Sequence, residues 1–284
     1  MLDRESKILI VGLGLIGGSY AEGLTKAGFE VGAVTRSRES IDYALSKGII
    51  ASGTNEVTRE YVSRFDIVVF ALYPHVFLSW LEKYQDCIKP GALLTDVTGV
   101  KRSVVYKVQE MLRDDLEFVG AHPMAGREVY GVKNADCSVF KGANYIVTPT
   151  EANTESAIVA CEDLGRALGF GCISRLSPEE HDEMIGFLSQ LTHCIAVALM
   201  NSKESSHLAE FTGDSFRDLT RIARINDGMW SELFLLNKDE LLSQMDLFIG
   251  KFGELRDALA AGDTEKMREM MRISTERRSY FDKK

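Results

Sequence analysis

A doubly wound, mostly parallel α/β sheet followed by an all-helical segment is the fold class this chain predicts. Three observations carry it. Val- and Ile-rich runs alternate with helical patterns of ten or more residues through the first half. The first such run ends in a glycine-rich turn that opens a helix, and from Ser177 onward no convincing strand pattern remains.

In order, KILIVGLG reads as strand one and SYAEGLTKAG as the helix after it. EVGAVT, DIVVFAL, ALLTDVT, EFVGA, NYIVTPT and GCISRL read as further strands. Helices around ESIDYALSKG, VFLSWLEKYQDCI, SVVYKVQEML and TESAIVACEDLGRALG lie between them. Ser177-Pro178-Glu179-Glu180 is a helix start, with a serine N-cap, proline at N1 and glutamate at N3. It leads into HDEMIGFLSQLTHCIAVALMNS, too apolar for a solvated helix and suited to a buried or interface position. Further helices are expected at 218–225, 230–235, 238–261 and 263–275, with a domain boundary near 173–178. Apolar helices in a tail of this size need a partner surface, and a homodimer is the simplest supply.

Composition narrows the function. A net charge of −9 argues against nucleic acid, which needs clustered Lys and Arg. MLDRESKILIVG lacks the features of a signal peptide, and no uncharged apolar run reaches the length of a membrane span. Cys87, Cys137, Cys161, Cys172 and Cys194 are an odd set without a CxxC pair, as expected of reduced thiols in a cytoplasmic protein. No spacing resembles a metal signature, and no metal is expected.

Gly12-Leu13-Gly14-Leu15-Ile16-Gly17 closes strand one and opens a helix. Gly12 permits the turn, Gly14 lets backbone approach a pyrophosphate, and Gly17 lets helix and strand pack. The amides at Leu15 and Ile16 then face the phosphates. The first domain, residues 1–175, is thus expected to be Rossmann-like and dinucleotide-binding, and residues 176–284 to form the helical domain. At the end of strand two, where NAD sites place an acid, stands Thr35, followed by Arg36, Ser37 and Arg38. Guanidinium groups there suit a 2′-phosphate, so NADP is expected over NAD; the bland alternative is a solvated basic turn. The loop with Leu72, the segment Asp96–Lys101 and His122-Pro123 should converge where nicotinamide lies. His122 at a strand end is placed to accept a proton from a hydroxyl, or else merely caps a loop.

GLGLIGGS, DVTGVK, GAHPMAG, the HD at 181–182, SQLTH, DLTRIA and the MW at 229–230, in this order, resemble the prephenate and arogenate dehydrogenase family of tyrosine biosynthesis. The resemblance implies that His122 is the catalytic histidine, hydrogen-bonded to the ring hydroxyl of the substrate. It implies that His193 lines the substrate pocket and that Arg221 binds a substrate carboxylate. Trp230 would close the pocket from the partner subunit, the helical domain would be the dimerisation domain, and prephenate would be oxidised and decarboxylated to 4-hydroxyphenylpyruvate. Three positions depart from the family pattern. Thr35 replaces the acid. Gly99 replaces the serine of DxGSxK, leaving the Thr98 hydroxyl as a candidate substitute. Gln190 replaces the first histidine of SHLPH, which touches the substrate pocket and leaves prephenate against arogenate open. Two rivals stand beside this reading. A β-hydroxyacid dehydrogenase would need a lysine in the central helix, which has none before Lys203. A catalytically silent dinucleotide binder would account for Gly99.

Overall fold

The computed structural model describes residues 2–127, 129–203 and 206–282. They fall into two compact units, Met1–Asn237 and Lys238–Lys284. In the first, β1 (Lys7–Val11), β2 (Glu30–Val34), β3 (Ser52–Thr54), β4 (Ile67–Phe70), β5 (Leu93–Asp96), β6 (Glu117–Met124), β7 (Asn144–Thr148) and β8 (Cys172–Arg175) form one sheet. Its order is β3-β2-β1-β4-β5-β6-β7-β8, and among the described residues only the β6–β7 pair runs antiparallel. The order reverses between β1 and β4, the switch point beyond whose carboxyl ends ligands bind in such sheets.

Alternation along β1 shows why the strands read as continuous apolar runs. Ile8 and Ile10 enter the core on one face, Leu9 and Val11 the core on the other. Both faces are covered, by helices that include α1 (Leu15–Lys26), α2 (Arg38–Ser46), α3 (Arg59–Val62), α4 (Pro74–Tyr84), α5 (Arg102–Met111) and α6 (Glu155–Ala167).

Two strand features differ from the sequence reading. β3, with the sequence SGT, carries no apolar run that could announce it. His122 lies within a strand rather than at its end. β6 continues to Met124 because β7 folds back beside it, pairing His122 with Ile146 and Pro123 with Tyr145.

The long apolar helix is continuous from α7 (Pro178–Ile185) through a π-helical turn, Gly186–Leu191, into α8 (Thr192–Asn201). Its start is the expected capping box: Ser177 Oγ accepts from Glu180 N at 3.2 Å, and Glu180 Oε2 accepts from Ser177 N at 2.8 Å. By length and composition, Pro178–Asn201 could cross a membrane, against the expectation that no segment reaches that length. Its first turns are instead fastened to the sheet domain, since Asp182 accepts from the amides of Lys101 and Arg102. The same bonds tie the start of this helix into the compact unit Met1–Asn237.

Next come α9 (Asp214–Thr220), a 3₁₀ turn at Arg221–Ala223 and α10 (Asp227–Leu236). The expected helix at 218–225 is therefore split. The helix expected at 230–235 starts earlier, because the Asn226 side chain accepts from Met229 N. The second unit pairs α11 (Lys238–Ala261) with α12 (Thr264–Ser279) across Gly262, whose φ of +69° suits only glycine. In this single chain α11 leaves Leu247, Ile249, Phe252 and Leu259 exposed.

Candidate active site

The turn after β1 is shaped by close approach. Gly12 has φ +103° and donates to Val34 O at 2.8 Å. A Cβ on Gly12 would meet Ala71 O at 2.4 Å and Leu72 Cδ2 at 2.9 Å, so Leu72 borders the loop. A Cβ on Gly17 would lie 1.9 Å from Gly12 O, whereas one on Gly14 meets nothing within 4 Å. No side chain caps α1, and its first turn holds no acid. Open space over Gly14 beside uncapped amides fits a dinucleotide pyrophosphate. Gly14→Val should raise the dinucleotide Kd on the order of tenfold with little loss of stability. Calorimetric titration beside a melting curve checks this, and unchanged binding would remove the loop from the site.

After β2, Thr35 N donates to Thr54 O at 3.2 Å, and Ser37 Oγ caps α2 by accepting from Ser40 N at 3.1 Å. Arg36, Ser37 and Arg38 are exposed. Arg38 pairs with Asp42, while among the described residues Arg36 has no ionic partner. Lys133 is held beside the same helix start by Glu39 at 2.6 Å.

The loop after β5 is knotted around a buried ion pair. Lys101 Nζ lies 2.8 and 2.7 Å from the two Asp96 oxygens, with both side chains wholly buried. Asp96 also accepts from Ala121 N at 3.0 Å and Thr98 N at 2.9 Å. Burial pulls the Lys101 ammonium down from its usual range, and the Asp96 carboxylate opposes that pull. The Thr98 hydroxyl is committed here: it bonds Asp96 and the Val100 carbonyl and accepts from Lys101 at 3.2 Å. It therefore faces the ion pair. A Cβ on Gly99, by contrast, would sit 3.8 Å from both Cε1 and Nε2 of His122.

His122 stands beside this loop on β6. Its Nδ1 is 2.8 Å from His181 Nε2, and His181 Nδ1 is 2.7 Å from Asp182 Oδ1. His181 is fully buried, while His122 keeps part of its surface exposed. Burial, then the neighbouring His181 and Lys101, hold the His122 imidazole well below its usual range, so it stays neutral. The sequence reading placed the Asp96–Lys101 segment near the nicotinamide and marked His181 and Asp182 by motif, but gave none of Lys101, His181 and Asp182 a catalytic part. HD and DVTGVK marked those positions, but no spacing rule joins segments some 80 residues apart.

His193 on α8 bonds the Ser189 carbonyl through Nδ1 at 2.8 Å and stacks on Trp230, centroids 3.7 Å apart. That stack lies within one chain, so Trp230 reaches His193 without a partner subunit. Gln190 does not line an open pocket. It is buried, donates to Leu233 O at 3.2 Å and accepts from Asn237 Nδ2 at 2.8 Å, and that amide also donates to Asp182 O at 2.9 Å. Arg221 is exposed on the 3₁₀ turn that packs against α8. A cleft of about 640 Å³ between α8 and the α9 region is lined by Val197, Met200, Phe216, Arg217 and Ile225 among others, and His122 and His193 are not part of it. Among the described residues no group of His, Cys, Asp or Glu gathers as a metal site.

A glycine-turn sheet domain that presents a neutral histidine on β6, beside the loop after β5, defines a nicotinamide dinucleotide-dependent oxidoreductase. Residues 20–169 match the family described as prephenate dehydrogenase, nucleotide-binding domain, and residues 177–273 match prephenate dehydrogenase, dimerization domain. The chain belongs to the prephenate dehydrogenase family. It is 32% identical to a prephenate dehydrogenase of Lactococcus lactis, over 91% of this chain and 73% of that one. It is 29% identical to a cyclohexadienyl dehydrogenase of Zymomonas mobilis, over 95% and 94%. The structure of a prephenate dehydrogenase from A. aeolicus, in complex with hydroxyphenyl propionate and NAD+, superposes with a TM-score of 0.90 at 28% identity, over 99% of both chains.

Proposed function

We propose that this protein oxidises and decarboxylates prephenate to 4-hydroxyphenylpyruvate, with NADP as the preferred dinucleotide. The observation that carries the reading is His122, a neutral imidazole whose Nε2 lies 3.8 Å from a Cβ built on Gly99. Nicotinamide supplies the acceptor for the hydride that leaves the hydroxyl-bearing ring carbon. His122 accepts the hydroxyl proton as that hydride departs and returns it to the oxygen once carbon dioxide has left and the ring is aromatic. His193, stacked on Trp230, orients the ring, and the Arg221 guanidinium holds a substrate carboxylate. The exposed apolar side chains of α11 suit a homodimer through the helical region.

Arogenate is the second reading, favoured by the broader name of the Zymomonas mobilis relative. NADP is supported by Thr35 in the acid position and by Arg36 beside the capped start of α2. Initial rates at 340 nm for prephenate and arogenate, each with NADP and NAD, test the proposal. Prephenate with NADP should be the fastest of the four, and Arg36→Ala should raise the NADP KM on the order of tenfold while leaving that for NAD nearly unchanged. A faster NAD reaction would overturn the cofactor assignment, and no turnover with either substrate would overturn the reaction.

A further inference from the structure

We propose that Asp182 and His181 form a positioning relay that sets the tautomer of His122 and supports its charge when it takes a proton. The inference rests on the reaction proposed above for what His122 does, but the tautomer itself is read from the hydrogen bonds.

Three nitrogens lie within hydrogen-bond reach of the Asp182 carboxylate. Lys101 N reaches Oδ1 at 2.7 Å and Arg102 N reaches Oδ2 at 2.9 Å. The third is His181 Nδ1, also on Oδ1, at 2.7 Å. With a backbone N–H on each oxygen, the carboxylate acts as the acceptor toward His181, so the proton of His181 sits on Nδ1. Its Nε2 must then be the acceptor in the 2.8 Å contact with His122 Nδ1. His122 is thereby held with its proton on Nδ1 and a bare lone pair on Nε2, the atom that lies 3.8 Å from a Cβ built on Gly99. An imidazole in the opposite tautomer would present an N–H to the substrate hydroxyl and could not take its proton.

The groups around the pair agree with this order. Lys101 and Asp96 stand on the β5 side as a closed ion pair. Burial and then the charge of Lys101 work against protonation of His181, while its bond to Asp182 favours it. When the substrate O–H bond breaks and an N–H bond forms at Nε2, the positive charge on His122 faces the lone pair of His181, backed by the Asp182 carboxylate. Asn237 Nδ2, which donates to the Asp182 backbone carbonyl at 2.9 Å and to Gln190 at 2.8 Å, fixes the helix turn that carries both relay residues. Neither His181 nor Asp182 touches the reacting atoms; both act through His122.

The first test needs no substrate. Long-range ¹H–¹⁵N spectra of the whole, histidine-labelled protein, assigned with His122→Gln, should show His122 and His181 both protonated at Nδ1 and bare at Nε2. A proton on Nε2 of His122 would overturn the relay, whatever the reaction proves to be. The second test is kinetic. His181→Leu should lower kcat on the order of 100-fold with the dinucleotide Kd unchanged. His181→Gln, whose carbonyl oxygen can accept from His122 Nδ1, should recover much of that loss. Equal loss in both variants, or none in either, would show that His181 only fills space. A wild-type protein with the expected tautomers but no turnover of either cyclohexadiene would sink the reaction and leave the relay standing.

Discussion

His122→Asn should lower kcat by about 10²- to 10⁴-fold, the range a positioned general base contributes, with dinucleotide affinity unchanged. Asparagine keeps a polar group on β6 but has no lone pair of comparable basicity to offer a hydroxyl. Steady-state rates beside a binding titration separate the two effects; equal losses in turnover and affinity would make His122 structural. The pH dependence of the wild type follows from the same residue. The base acts only when unprotonated, and burial with the nearby His181 and Lys101 lowers the pH at which it charges. The acid limb of kcat should therefore lie below the ordinary histidine range, with turnover level as pH falls through that range. A fall centred on the ordinary histidine value would contradict this environment for His122.

Lys101→Met should destabilise the fold by about 3–5 kcal/mol, the cost of leaving one member of a buried ion pair without the other. Asp96 would keep its bonds from Ala121 N and Thr98 but lose an ammonium within 2.8 Å of both oxygens, in a place without water. Urea unfolding reads the loss as a lower midpoint at an unchanged slope. The double variant Lys101→Met/Asp96→Leu should regain part of it, since two apolar groups leave no orphaned charge. If the single variant unfolded at the wild-type midpoint, the pair would be no part of what holds the β5 loop in place. The loop matters beyond stability, because the Lys101 amide is one of the donors that hold Asp182.

Most of the sheet was legible because its strands are buried on both faces and their apolar runs stand out against the helices between them. β3 was not, since a three-residue edge strand of Ser, Gly and Thr needs only the backbone of β2 to form. The glycine loop was legible because each glycine answers a local demand: a turn at Gly12, open space at Gly14, close packing at Gly17. His122, His193, Arg221 and Trp230 could be picked out by motif, and the stack of His193 on Trp230 brings two of them together.

Thr98 and Gln190 have partners that no motif announces, for one shared reason. A motif gives the position of a polar side chain along the chain but not which partner satisfies it once water is gone. Thr98 turned to a buried ion pair, and Gln190 to Asn237. By itself, the amino-acid order determined the alternating α/β half, the dinucleotide loop, the helical half and the family. Only the tertiary structure decided that His181 and Asp182 on α7 meet β6 and the β5–α5 loop. Those contacts join residues far apart in the chain, and buried donors and acceptors choose their partners only when the elements that carry them have packed.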